Sequence, residues 1–211
     1  MRGIIISGGT PPSKKLLEKV IDKNSIIIFS DSGANVGFKY GLDCKAIVGD
    51  LDSISQEAKD YYTKKHCKFI TFNKEKDFTD TELAIVELIK YEVDSIILLG
   101  CIGTRMDHTL ANMGLLVNYA SKGYNIKIMD EHNEIMVLLR NTIIHAEEHK
   151  VFSLQSFRNK VSNLSIIGAK YPLKNYDLSS GDPLTVSNEF LDRDVEIIFN
   201  EGTLLLIYPY D

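Results

Sequence analysis

The first 140 or so residues repeat one pattern: a short apolar run, a turn, then a stretch of helical periodicity. The apolar runs fall at residues 3–7, 25–30, 45–48, 68–72, 94–99 and 125–129, and each reads as a buried strand. Between them, residues 13–23, 33–40, 55–65, 79–91 and 107–122 read as helices. In the first of these, Leu16, Leu17, Val20 and Ile21 make a single apolar stripe. Ser53 with Gln56, and Thr79 with Glu82, have capping-box spacing, while Gly41 and Gly123 stand where helices close. Strands that alternate with helices over short connections predict an α/β fold with a doubly wound, mostly parallel sheet.

Past about Leu139 the helical period stops and β-type runs take over. Candidate strands cover residues 151–157, 161–167, 183–186, 195–199 and 203–208. The last two are separated by Asn200-Glu201-Gly202, which reads as a hairpin turn. The expected division is an α/β domain over residues 1–140 and a small antiparallel β-sandwich domain over 141–211. A domain of about 65 residues has little core of its own. It is therefore expected to lean on the first domain or on another subunit.

Composition excludes several classes of function. A net charge of −5 gives no basic footprint for nucleic acid. No apolar run approaches the roughly 20 residues of a membrane span, and the N-terminus turns polar at Ser7, too early for a signal peptide. Cys44, Cys67 and Cys101 have no metal-binding spacing and are odd in number, which fits a reducing compartment and argues against a disulfide framework. The expected location is cytoplasmic.

The unusual residues gather after the strands. Gly8-Gly9 follows the first, Asp31-Ser32-Gly33-Ala34-Asn35 the second, Asp50 and Asp52 the third, Asp77 and Asp80 the fourth, and the segment from Gly100 to His108 the fifth. In a parallel sheet these ends share one edge, the edge where α/β proteins bind ligands. Two carboxylates in contact repel by about 1 to 4 kcal/mol, depending on local dielectric, and a cation relieves that cost. An oxygen-rich site lacking histidine and thiolate ligands suits Mg²⁺ and phosphate oxygens rather than zinc. Acids that merely suit a helix dipole are the plainer reading of the same residues, for Asp80 in particular.

The glycine loops complement the acids. Gly33 and Gly103 could let backbone N–H groups approach an anion, and Arg105 could grip phosphate as a fork. Each also has an ordinary reading: Gly33 as a turn glycine, Arg105 as a surface cation, Asp107 as a helix N-cap, and His108 as a solvated histidine. No P-loop, no glycine-rich dinucleotide fingerprint and no nucleophile elbow is present.

Taken in order, Asp31-Ser32-Gly33-Ala34-Asn35, Gly49-Asp50-Leu51-Asp52-Ser53, Asp77-Phe78-Thr79-Asp80-Thr81-Glu82 and Gly100 to Asn112 resemble the signature of the thiamine pyrophosphokinase family. Gly168 to Leu173 and Val186 to Phe190 resemble its thiamine-binding segment, so the likeness runs over nearly the whole chain. The resemblance implies transfer of a pyrophosphoryl group from ATP to the hydroxyl of thiamine, giving thiamine diphosphate and AMP. It implies a homodimer with shared active sites. On the matched positions, Asp50, Asp52, Asp77 and Asp80 would hold Mg²⁺, and Arg105 and Asp107 would join them in catalysis. Asp31, Gly33, Asn35, Arg105, His108, Thr109 and Asn112 would line the ATP side. Tyr171, Ser187 and Asn188 would meet thiamine. Ser32 and Thr104 stand where the family usually has glycine, and Tyr171 where tryptophan often stacks on thiamine. Two other functions fit the same nucleotide end: diphosphoryl transfer to another heterocyclic alcohol such as a hydroxymethylpterin, and nucleotide-dependent regulation without chemistry.

Overall fold

The computed structural model of the chain describes residues 1–72, 78–146 and 150–210. It divides into two compact units, Met1–Glu131 and His132–Asp211.

The first unit alternates strand and helix: β1 (Arg2–Ile6), α1 (Lys14–Val20), β2 (Ile26–Ser30), α2 (Gly33–Tyr40), β3 (Ala46–Gly49), α3 (Gln56–Lys64), β4 (Lys68–Thr71), α4 (Asp80–Ile89), β5 (Ser95–Leu99), α5 (Met106–Ser121) and β6 (Ile126–Met129). Its strands lie in the order β6-β5-β1-β2-β3-β4, and every pairing among them is parallel. The chain thus winds outward from β1 to β4, returns to the far side of β1 as β5, and winds the other way. That reversal opens a crevice at the carboxyl ends of β1 and β5, the switch point where such sheets bind ligands.

On one face of this sheet, Ile4, Ile6, Phe29, Ile47 and Leu99 pack with Leu17 of α1, Ala34 of α2, and Ala58 and Tyr62 of α3. Tyr62 is fully buried, sits 5.4 Å from the Phe29 ring, and donates its hydroxyl to the Leu42 carbonyl at 3.0 Å. Capping follows the sequence pattern in part. Thr79 Oγ1 accepts from the Glu82 amide at 3.2 Å, as its spacing predicts. The α3 cap is Ser55, which accepts from the Ala58 amide, whereas Ser53 turns away to donate to Asp31. Asp107 lies inside the first turn of α5, whose N-cap position is Arg105.

The second unit is a sandwich of two antiparallel sheets. Its strands are β7 (Asn133–Leu138), β8 (Thr142–Ile144), β9 (Val151–Ser156), β10 (Val161–Ile167), β11 (Leu173–Leu178), β12 (Asn188–Glu189), β13 (Val195–Ile198) and β14 (Leu204–Pro209). One layer runs β12-β9-β14-β7 and the other β11-β10-β13-β8. Phe152, Leu154, Leu204 and Leu206 from the first layer meet Val161, Leu164, Val195 and Ile197 from the second.

Three expectations need correction here. β13 and β14 do not form a hairpin: β13 pairs with β8 and β10, and β14 with β7 and β9. The turn through Asn200 and Gly202 therefore crosses from one layer to the other. Residues 183–186 are not a strand; the Val186 amide instead bonds the Pro183 carbonyl, closing a turn. The third is that the sequence pattern leaves out β7, β8, β11 and β12: β7 is an apolar run at 135–138 that follows β6 closely, β8 and β12 are very short, and β11 is largely polar.

Tyr62 gives the fold a direct test. Tyr62→Ala should destabilise the protein by about 3–5 kcal/mol through the cavity it leaves. Tyr62→Phe should cost about 1–2 kcal/mol by orphaning the Leu42 carbonyl. Urea unfolding of the two variants measures both.

Candidate active site

The crevice at the sheet's switch point is a cleft of about 670 Å³. Its walls come from the loops after β1, β2 and β5 and from the starts of α4 and α5. Two backbone bonds hold the β1 and β5 loops together: Gly9 N–H to the Gly100 carbonyl at 2.7 Å, and Thr10 N–H to the Ile102 carbonyl at 2.8 Å. Gly33 opens α2 directly over the end of β1, where a Cβ would collide with the Ile6 carbonyl oxygen. Glycine is required there for close packing.

At the rim, carboxylate oxygens of Asp31, Asp50 and Asp52 all lie within 4.8 Å of one another. The Asp50-Leu51-Asp52 turn achieves this through its middle residue. Leu51 adopts a left-handed conformation (φ 64°) and buries its side chain in the core, leaving the acids on either side to face outward. Lys59 Nζ donates to the Leu51 carbonyl at 3.0 Å, and the Asp52 amide donates to Asp50 Oδ1 at 3.2 Å, which fixes the turn. Asp31 also has positive φ (47°), and its amide bonds the Val48 carbonyl at 2.8 Å, tying the ends of β2 and β3 together. Asp80 is the first residue of α4, and a Cβ placed on Gly49 would touch both Asp80 Cγ (3.4 Å) and Asp31 Cβ (3.1 Å).

Asp31 is the electrostatic focus. One of its oxygens accepts from the Ser53 hydroxyl; the other, Oδ1, is buried and has no hydrogen-bond partner. Burial raises the pKa of Asp31, and the charges of Asp80, Asp50 and Asp52 raise it further against the lowering effect of Ser53. A buried carboxylate oxygen without a donor, amid like charges, is the arrangement a hard cation satisfies. The sequence places Asp31 with the other acids at the carboxyl edge of the sheet, while the family resemblance gives it to the nucleotide side rather than to the metal set; its closeness to Asp50 and Asp52 comes from β2 lying next to β3.

The other expected residues divide by what they touch. Asp31, Asp80, Arg105, His108, Thr109 and Asn112 line the cleft. Thr109 and Asn112 shape it from behind: Thr109 Oγ1 accepts from the Gly103 amide at 3.3 Å, and buried Asn112 donates to the Cys101 carbonyl at 2.8 Å. Asn35 holds the rim loop, donating to the Ser53 carbonyl at 3.0 Å and accepting from the Ser55 amide at 2.9 Å. Arg105 and Asp107 form a two-point ion pair at 3.2 and 2.6 Å, both largely exposed. That pairing lowers the Asp107 pKa, and Asp107 is not among the three clustered acids. Asp77 lies outside the described residues. Cleft residues that sequence reasoning did not single out include Ser7 and Thr81, whose buried hydroxyls meet at 3.0 Å.

In the second unit, Tyr171 presents an exposed ring, with Lys170 Nζ 5.3 Å from its centroid. Asn188 is buried, and its amide is used in fixing the backbone: Oδ1 accepts from the Tyr171 and Glu189 amides, and Nδ2 donates to the Tyr171 carbonyl at 2.8 Å. Ser187 has positive φ (57°), and its amide bonds Ser153 Oγ at 2.9 Å.

The raised pKa of Asp31 means that the folded chain holds this proton more tightly than the unfolded chain. Ionising Asp31 therefore costs stability as the pH climbs from its ordinary value of 3.8 through the raised one. In chelator-containing buffer at neutral pH, Asp31→Asn should raise the thermal midpoint by about 2–4 °C. The gain should shrink on acidification, and calorimetry across pH measures both.

Residues 17–128 match the family model described as thiamin pyrophosphokinase, catalytic domain, and residues 140–204 match that of the thiamin pyrophosphokinase vitamin B1 binding domain. The chain is 28% identical to thiamine pyrophosphokinase of Bacillus subtilis over 209 residues, 98% of each chain. The crystal structure of thiamine pyrophosphokinase from Bacillus subtilis superposes with a TM-score of 0.89 at 26% identity, covering 100% of both chains. That of thiamin pyrophosphokinase from Geobacillus thermodenitrificans gives 0.87 at 27% identity, covering 100% of this chain and 98% of the other. With both family models matched in order and the fold shared end to end, the chain belongs to the thiamin pyrophosphokinase family.

Proposed function

We propose that the chain catalyses transfer of a pyrophosphoryl group from ATP to the hydroxyl of thiamine, forming thiamine diphosphate and AMP. The observation that carries the reading is the orphaned, buried Asp31 Oδ1, set among carboxylates at the mouth of a switch-point cleft. A polyphosphate could not approach those charges unaided. The donor set is all oxygen, which fits Mg²⁺. Asp31, Asp50 and Asp52 would hold the ion beside Asp80, and the family resemblance adds Asp77 to the set. Bound there, Mg²⁺ would neutralise phosphate charge and polarise the phosphoryl oxygens.

The chain's own residues do the rest. The β1 and β5 loops, pinned to each other, present backbone to the nucleotide. Arg105 reaches phosphate oxygens as a fork, and Asp107 keeps the guanidinium extended at the cleft mouth when no phosphate competes. Thr109 and Asn112 hold the loop that carries Arg105, and Asn35 holds the loop that carries Asp52. Transfer to an alcohol through a loose transition state asks chiefly for alignment and charge stabilisation, so no strong base is needed.

Thiamine would stack on Tyr171 through its cationic ring, with Asn188 and Ser187 setting the backbone around that tyrosine. The working form is a homodimer with shared active sites. The compartment is the cytoplasm, a reading supported by three free cysteines. No helix among the described residues is long and apolar enough to cross a membrane.

Incubation with ATP and thiamine, scored by mass detection of thiamine diphosphate and AMP, tests the reaction. Product should form with Mg²⁺ and vanish with a chelator. Product from a hydroxymethylpterin but not from thiamine would assign the acceptor differently, and ATP binding without AMP release would make the protein a regulator. Asp50→Asn should lower kcat by about 100-fold or more while leaving the far-ultraviolet dichroism unchanged. Tyr171→Ala should raise KM for thiamine by about 5- to 30-fold with little change in KM for ATP, and Tyr171→Trp should restore it.

A further inference from the structure

Away from the cleft, two thiols face each other. Cys44 precedes β3 and Cys67 immediately precedes β4, at the amino ends of adjacent parallel strands and opposite the acid rim. Their sulfurs lie 2.7 Å apart, although 23 positions separate them in sequence. Both are half-buried against the core that includes Tyr62 and Phe29. A bonded pair sits about 2.05 Å apart, so less than an ångström of side-chain movement separates the two states.

From this placement we propose that Cys44 and Cys67 form a reversible intramolecular disulfide, a modification site unrelated to the diphosphoryl transfer. The parallel register of β3 and β4, with Ala46 beside Lys68, holds the two thiols together in the reduced protein. The Cys67 amide bonds the Tyr62 backbone carbonyl at 3.0 Å, and the Tyr62 hydroxyl donates to the Leu42 carbonyl, so the loops before both strands are fixed to one buried residue. Either sulfur can donate its S–H to the other, so either can serve as the attacking thiolate with its neighbour as the resolving thiol, and the steps are the same with the two residues exchanged.

With a peroxide as oxidant the steps balance. The Cys67 thiolate attacks one peroxide oxygen, the O–O bond breaks, and the departing hydroxide takes up a proton as water. Cys67 is then a sulfenic acid. The Cys44 sulfur attacks Cys67 sulfur; the S–S bond forms, the S–O bond breaks, and the hydroxide leaves with the Cys44 proton as a second water. Two thiols lose two electrons, and one peroxide gains them. The closed loop encloses β3, the Asp50-Leu51-Asp52 turn and α3, so oxidation braces the segment that carries the acids without entering the cleft.

The test treats the full-length protein with a few equivalents of hydrogen peroxide, followed by non-reducing peptide mapping and thermal unfolding. The expected product links the Cys44 and Cys67 peptides within one chain, with loss of two hydrogens, and dithiothreitol reverses it. The thermal midpoint should rise by about 5–10 °C on oxidation, from the loop the bond closes. Cys44→Ser and Cys67→Ser should each show no rise and no intrachain linkage. Over-oxidation of wild-type Cys67 with Cys44 still free, linkage to Cys101, or linkage between chains would each overturn the proposal.

Discussion

The position of β1 governs the first unit. It is paired on one side with β2 and on the other with β5, always in parallel. A strand that is first in sequence and central in the sheet forces the chain to wind outward twice, in opposite directions, and the loops that leave β1 and β5 must diverge. The cleft lies at that reversal. The two loops bond to each other at Gly9–Gly100 and Thr10–Ile102, the β2 and β3 turns bring acids to the cleft rim, and α4 and α5 start beside it. The buried runs Ile4 to Ile6 and Ile96 to Leu99 make this pairing favourable by removing apolar surface from water on both faces.

The rim is a place where local stability is given up. Two residues of the acidic turns, Asp31 and Leu51, sit in left-handed backbone that only glycine adopts without cost. A buried carboxylate oxygen lacks a donor, and three carboxylates crowd together. The surrounding contacts hold this arrangement in place: Leu51 is anchored in the core, Lys59 grips its carbonyl, Asn35 bridges to the 53–55 segment, and Ser53 answers one oxygen of Asp31. Strain, repulsion and desolvation converge on one spot, and the packing around it is rigid enough to keep them there. This is the arrangement that the proposed cation and its anionic partner would need.

Much of the first unit was legible from periodicity alone, because parallel strands buried on both faces read as unbroken apolar runs and their helices as stripes. The strand-end placement of Asp50, Asp52 and Asp80 followed from that. The role of Asp31 did not, since its proximity to Asp50 depends on β2 lying next to β3, a fact of strand order that no local pattern carries. Asn35, Thr109 and Asn112, which the family resemblance puts on the ATP side, also bond the backbone of neighbouring loops. A matched motif marks a polar residue near a site but does not say which way its side chain faces. In the second unit, the layer exchange between β13 and β14 escaped detection because Asn200-Glu201-Gly202 has the composition of a tight turn, and composition is silent on whether the strands it joins share a sheet.

That exchange has a consequence for how the polypeptide matures. β14 follows every other strand of its unit, yet it is inserted between β7 and β9. Until it arrives, those two strands have no neighbour in common, and Phe152 and Leu154 lack the cover that Leu204 and Leu206 later supply. During synthesis the sandwich therefore stays unfinished until its final strand has left the ribosome. In that interval its unpaired edges are the nascent chain's most exposed invitation to aggregation or to chaperone capture.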